Sequence, residues 1–170
     1  MGDDLRGEFA RVFADLYPRI RAFTARRVGE ADAEDLAVET FEVAWKKRGD
    51  DPAAVEAAWL YGIARKRCAN HLNRRRRFDR AVERLSAERS VEDQPSLTDN
   101  DGRLGSLAAL SLRDKEILAL AAWEEMGVLE MARVLGCTRA TAAVRLHRAR
   151  KRARALLEPS PDVSLSEESA

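Results

Sequence analysis

Residues 129–150 read LEMARVLGCTRATAAVRLHRAR. Met131, Ala132, Val134 and Leu135 line one apolar face of a short helix near Val128–Leu135. Gly136 permits a tight turn, because glycine enters left-handed backbone conformations at little cost. Thr138 then stands where its hydroxyl can cap a second helix, Thr138–Leu157. Within it Ala142 and Leu146 face inward at helical spacing, while Arg139, Thr141, Arg145 and Arg148 point elsewhere. Such a pair is a helix-turn-helix, which sets the N-terminal part of its second helix in the major groove of DNA. Arginine there bonds guanine edges bidentately or holds phosphates. The bland alternative is a helical hairpin with a solvated basic helix. Clustering of the basic residues on the second helix favours the first reading.

Helical signals extend upstream. Ser111 precedes Leu112-Arg113-Asp114-Lys115 in a capping arrangement, followed by Ile117, Leu118, Ala121 and Ala122. Periodicity fails in SAERSVEDQPSLTDNDGRLGS, residues 86–106, which is polar and acidic and contains Pro95 and Gly102. Before it, a helix is predicted from about Ala54 to Arg77, extendable to Leu85, with Trp59, Leu60, Ile63, Ala64, Cys68 and Leu72 apolar. Gly49-Asp50-Asp51-Pro52 reads as a loop. A further helix starts near Asp32, its acidic residues suiting the positive N-terminus and Lys46, Lys47 and Arg48 the negative C-terminus. Phe9, Val12, Phe13, Leu16, Ile20 and Phe23 mark a first helix that Pro18 should kink or restart near Tyr17. Alanine, leucine, arginine and glutamate dominate, all strong helix formers. The expected fold is all-α. Two small helical domains, residues 5–85 and 104–158, are joined by a flexible linker at 86–103, and a disordered tail occupies 159–170.

The 170 residues hold 30 basic and 29 acidic side chains, a net charge of +1 that would argue against a nucleic-acid partner. That average conceals blocks. Residues 58–85 carry 9 basic and 2 acidic groups, net +7, and residues 131–158 carry 8 and 1, again +7. Residues 86–130 carry 4 and 10, net −6. With a Debye length of about 8 Å, separated surface charges do not cancel locally, so each basic block can hold a polyanion. Charged residues at 35% leave no apolar run of membrane-spanning length, and the acidic start lacks the core of a secretory leader. Cys68 and Cys137 make no disulfide framework, so a cytoplasmic protein is expected.

The first basic block includes Asn70-His71-Leu72-Asn73-Arg74-Arg75-Arg76-Arg77. An arginine run binds phosphates, and nearby aromatics (Trp59, Tyr61, Phe78) can stack on unpaired bases. The same run also fits a solvated helix end that offsets the macrodipole, and Trp59 reads better as core than as a base platform. Cys68 and His71 have metal-like spacing without a second ligand pair. With no glycine-rich phosphate loop and no supported nucleophile set, neither metal, cofactor nor catalysis is expected.

Three stretches together resemble the extracytoplasmic-function group of bacterial RNA polymerase sigma factors, in the sigma-70 family. DAEDLAVETFEVAWKK (32–47) is similar to the family's polymerase-clamping helix. AWLYGIARKRCANHLNRRRR (58–77) is similar to its promoter-melting, minus-ten helix. Residues 107–154, with RLHRAR, are similar to its minus-thirty-five domain. The resemblance implies core polymerase and promoter DNA, both duplex and melted strand, as partners, and an anti-sigma factor as a further one. It implies polymerase contact by Asp35, Glu39 and Glu42, and minus-ten contact by Arg65, Lys66, Asn70, Asn73, Arg74 and Arg75. It also implies a flipped-base pocket at residues 49–55 and minus-thirty-five contact by Thr138, Arg139, Thr141, Arg145 and Arg148. The chain departs from the family at Lys66, where asparagine is frequent, at Gly127, where a capping serine is usual, and at Ala143-Val144, which replace a polar pair. The competing functional class is a stand-alone helix-turn-helix regulator.

Overall fold

The computed structural model describes residues 2–47, 56–85 and 107–157. The expected loop and base pocket at 49–55, the linker at 86–103 and the tail at 159–170 lie outside the described residues. Among those residues there are six α-helices and no strand: α1 Gly2–Val28, α2 Glu30–Lys47, α3 Ala57–Leu85, α4 Leu112–Ala122, α5 Val128–Leu135 and α6 Arg139–Leu157. A 3-10 turn, Leu107–Ala109, precedes α4.

α1 is a single helix through Pro18, so the expected restart near Tyr17 does not occur. Proline removes one N–H and leaves the carbonyl four residues earlier without its partner. Pro18 and Ala14 are both exposed, so water can satisfy that carbonyl. Leu16, Ile20 and Phe23 are buried on the inner stripe. Gly29, at φ +89°, closes the helix, and its N–H donates to the Ala25 carbonyl at 2.9 Å. α2 starts at Glu30, two residues before the expected position, and buries Ala33, Leu36, Ala37, Thr40, Phe41 and Ala44. Phe9, Phe13 and Tyr17 meet Phe41 across the α1–α2 seam, with the Phe13 and Phe41 rings 4.7 Å apart.

α3 begins at Ala57 rather than Ala54 and has two unlike halves. Ala58, Leu60, Tyr61, Ala64 and Cys68 are buried against α1 and α2, while the described side chains from Asn73 onward are exposed. Trp59 packs partly buried against the core, in line with its reading as core.

In the second half of the chain the local signals are realised in detail. Ser111 caps α4, its Oγ accepting from the Asp114 N–H at 3.1 Å. At the end of α5 Gly136 takes φ +64°. The Cys137 N–H reaches the Ala132 carbonyl (2.9 Å) and the Gly136 N–H the Arg133 carbonyl (3.3 Å), the paired bonds of a Schellman ending.

The two halves pack against each other. α5 lies on α3, with the Val134 backbone 3.9 Å from where a Cβ on Gly62 would stand. One apolar core runs from Ile20, Phe23 and Leu60 through Ile117 and Leu120 to Met131 and Leu146. Fully burying side chains of this size contributes about 1.5–3 kcal/mol each.

Candidate nucleic-acid interface

The turn and cap of α5 and α6 build the helix-turn-helix from the residues named above. Thr138 Oγ1 accepts from the Thr141 N–H at 3.1 Å, fixing the start of α6, and the two threonine hydroxyls lie 2.8 Å apart. Thr138 and Thr141 are therefore engaged in the cap, and Thr141 is half-buried. Gly127, standing where serine is usual, donates its N–H to Glu130 Oε2 at 2.8 Å, so half of a capping box survives without the side chain. Ala142, Leu146 and Ala149 anchor α6. Arg139, Arg145 and Arg148 are exposed. Ala140, Val144, His147 and Lys151 are exposed as well, and none of them figured among the expected contacts. At 100° per residue Ala140, Val144 and Lys151 fall within about 40° of each other, opposite the buried side, whereas Arg145 sits on the flank.

Arg152, near the far end of α6, is tied down. Its guanidinium donates to both carboxylate oxygens of Asp114, at 2.7 and 2.9 Å, and the Ser111 hydroxyl donates to the same carboxylate at 2.9 Å. These donors, Arg152 foremost, hold the Asp114 carboxyl below its ordinary range.

The minus-ten candidates on α3 divide. Lys66, Asn70 and Asn73 follow at four- and three-residue spacing on one exposed stripe, and Arg74 is exposed beside it. Arg75 is exposed too, but roughly half a turn from Asn73. Arg65 is not available. Its Nε and Nη2 donate to Glu116 of α4 at 2.6 and 3.2 Å.

Among the described residues, two further carboxylate–guanidinium pairs cross between the halves. Arg26 of α1 bonds Glu124, whose side chain is nearly fully buried, and Arg133 of α5 bonds Glu56. Arg26 also lies over the Trp123 ring at 5.7 Å. Burial, reinforced by the Glu124 carboxylate, pushes the Tyr61 hydroxyl up to about 12. The sequence shows these charges but not their pairing, since Arg26 and Glu124 lie 98 positions apart.

On α2, Asp35, Glu39 and Glu42 form one stripe turned away from the buried residues. Asp35 and Glu42 are exposed, whereas Glu39 lies 3.5 Å from Arg67 of α3. His71 Nε2 approaches Asp32 at 3.2 Å, giving it a partner within the α2–α3 pair. Burial pushes the Cys68 thiol up to about 11, which keeps it protonated and unreactive. No group of three or more His, Cys, Asp or Glu among the described residues is placed to hold a metal ion. None of the described helices is long and apolar enough to cross a membrane.

Comparison with known proteins places both halves. Residues 12–78 match Sigma-70 region 2 and residues 105–152 match Sigma-70, region 4. RNA polymerase sigma factor CarQ of Myxococcus xanthus is 29% identical over 160 residues, covering 91% of this chain and 92% of its own. RNA polymerase sigma factor NccH of Alcaligenes xylosoxydans xylosoxydans is 28% identical over 158 residues, covering 84% of this chain and 83% of its own. Among solved structures, sigma factor RpoE from Bartonella quintana, in complex with the anti-sigma factor NepR, superposes with a TM-score of 0.58 at 26% identity, covering 88% of this chain and 96% of its own. CnrH, in complex with the cytosolic domain of CnrY, gives 0.60 at 26% identity over 88% of this chain and 86% of its own. With both regions present in order, over helices that carry the expected motifs, the chain belongs to the sigma-70 family of RNA polymerase sigma factors, in its extracytoplasmic-function group.

Proposed function

We propose that this sigma factor docks on core RNA polymerase through the acidic stripe Asp35, Glu39 and Glu42. In this reading α6 meets the upstream promoter duplex through Arg139, Arg145 and Arg148, with Thr138 and Thr141 at its capped start. Lys66, Asn70, Asn73, Arg74 and Arg75 meet the melted downstream element. The observation that carries this is that α6 and the α2 stripe are both exposed, on helices that do not touch each other, which leaves each open to its own partner. Arg65 joins the melted strand only after Glu116 lets go, so the arrangement described here is a resting one. Unstacking promoter bases costs a few kcal/mol, and stacked or pocketed bases return about 1–3 kcal/mol each. The sigma factor makes and breaks no bond itself; polymerase, in the cytoplasm, does the chemistry. An anti-sigma factor is a further partner, as NepR is for RpoE. A stand-alone regulator would have no use for the acidic stripe.

The test separates the two faces. R145A/R148A should weaken binding to upstream duplex by about 1–3 kcal/mol per lost contact and leave core binding unchanged. D35K/E39K should abolish core binding and leave the duplex affinity of the chain intact. Equal loss of both activities in either variant would sink the assignment.

A further inference from the structure

The outward middle of α6 is apolar. Val144, 48% exposed, stands there with the exposed Ala140 and Ala143 beside it. Arg139, Arg145 and Arg148 surround these three residues. Nothing in the fold requires a valine at this place, since Ala142, Leu146 and Ala149 on the opposite side supply the packing. The residue is β-branched, a poorer helix former than alanine, on a helix otherwise rich in alanine and arginine. The alanines cannot reach hydrogen-bonding groups on a base edge, but their small size lets the helix axis come close to the groove floor. The major groove displays one apolar group, the C5 methyl of thymine.

We infer that Val144 is a specificity-determining residue: its isopropyl group seats on a thymine C5 methyl in the upstream promoter element. The flanking arginines hold phosphates or guanines on either side. The inference rests on α6 being the duplex-reading helix and adds which base lies under its centre. Arg148, one turn further along the same side, sets the register by bonding the adjoining base pair or its phosphate.

The experiment uses holoenzyme reconstituted from core polymerase and the full chain. Duplexes are selected from a random library, and each thymine of the selected upstream element is then replaced by uracil, which lacks only the methyl. At one or two positions uracil should weaken binding about fourfold, the factor for one methyl-sized group removed from water. In V144A and V144S the same replacement should have no effect. Placing 5-methylcytosine at that position should restore part of the loss for the wild-type chain but not for V144S. Uracil tolerated at every position, or a uracil effect that persists in V144A, would overturn the inference while leaving duplex reading by α6 intact. Failure to select any upstream element would instead remove the reading on which it rests.

Discussion

On α6 the guanidiniums of Arg139, Arg145 and Arg148 stand exposed. On α3, in contrast, Arg65 is held by Glu116 and Arg67 lies 3.5 Å from Glu39. The sequence blocks containing these helices carry the same net +7. What separates them is packing. α3 packs against α1, α2 and α5, and α2 and α4 bring acidic groups, Glu39 and Glu116, to its first half. α6 packs along one side only, so most of its charge is left to solvent. Local charge density identifies a polyanion-binding helix, but its availability is decided by what leans on it.

The seam that covers Arg65 is the place to break this contrast, and Glu124 is its most buried charge. E124A leaves Arg26 without its carboxylate in a partly buried position. Losing one partner of a buried pair costs about 3–5 kcal/mol. Because Arg26 keeps about a third of its side-chain exposure, at 29%, a loss near 2–3 kcal/mol is expected. Small-angle scattering should then show an expanded chain, and single-stranded DNA should bind it more tightly. E56A removes the carboxylate of an exposed pair, so it should cost under about 0.5 kcal/mol and leave the chain compact. Equal behaviour of the two variants would mean that the apolar contacts, not Glu124, hold the halves together.

A smaller effect is expected where the contrast is most direct. E116Q weakens the grip on Arg65 without emptying the space. The pair is bidentate but a quarter to a third exposed, 34% for Arg65 and 24% for Glu116, so its loss is set at about 0.5–1 kcal/mol. Affinity of the full chain for a single-stranded oligonucleotide should rise two- to fivefold, with a steeper dependence on salt as one more phosphate contact forms. On α6 no such gain is available, and E116Q should leave duplex affinity at its wild-type value.

What was legible in the sequence was local. Ser111, Thr138 and Gly136 act within three or four positions of themselves, so their caps and turn could be read directly. The apolar rows of α1, α2 and α5 were equally plain. Of the kink or restart expected at Pro18, the restart does not occur, because the cost of a proline depends on whether the carbonyl at Ala14 can reach water, a matter of placement that the residue itself does not state. The same limit applies to the site. The basic stretches and the acidic α2 stripe were visible, but the engagement of Arg65 by Glu116 needed two positions 51 apart to be brought together. Val144 was legible only as a departure from a polar pair; its outward placement gives that departure a meaning.

Arg152 offers the finest test, because it is the arginine of α6 that behaves like Arg65 of α3. Its partner Asp114 is nearly buried, with a side-chain exposure of 9%, and has its carboxyl held below the ordinary value of 3.8 by Arg152 and the Ser111 hydroxyl. A carboxyl with a depressed folded-state value stabilises the fold above its unfolded value. That contribution is complete at neutral pH and is lost as pH falls below about 3.8 toward the folded value. D114N removes the charge and with it this pH dependence. At pH 7 the variant should unfold at a lower temperature than the wild type, and the two should converge on acidification below pH 4. The difference should be modest, since Arg152 itself is largely in water. Were the gap between them constant down to acidic pH, the Asp114–Arg152 contact would be acting through shape alone, and α6 would owe its position to Ala142, Leu146 and Ala149 without electrostatic help.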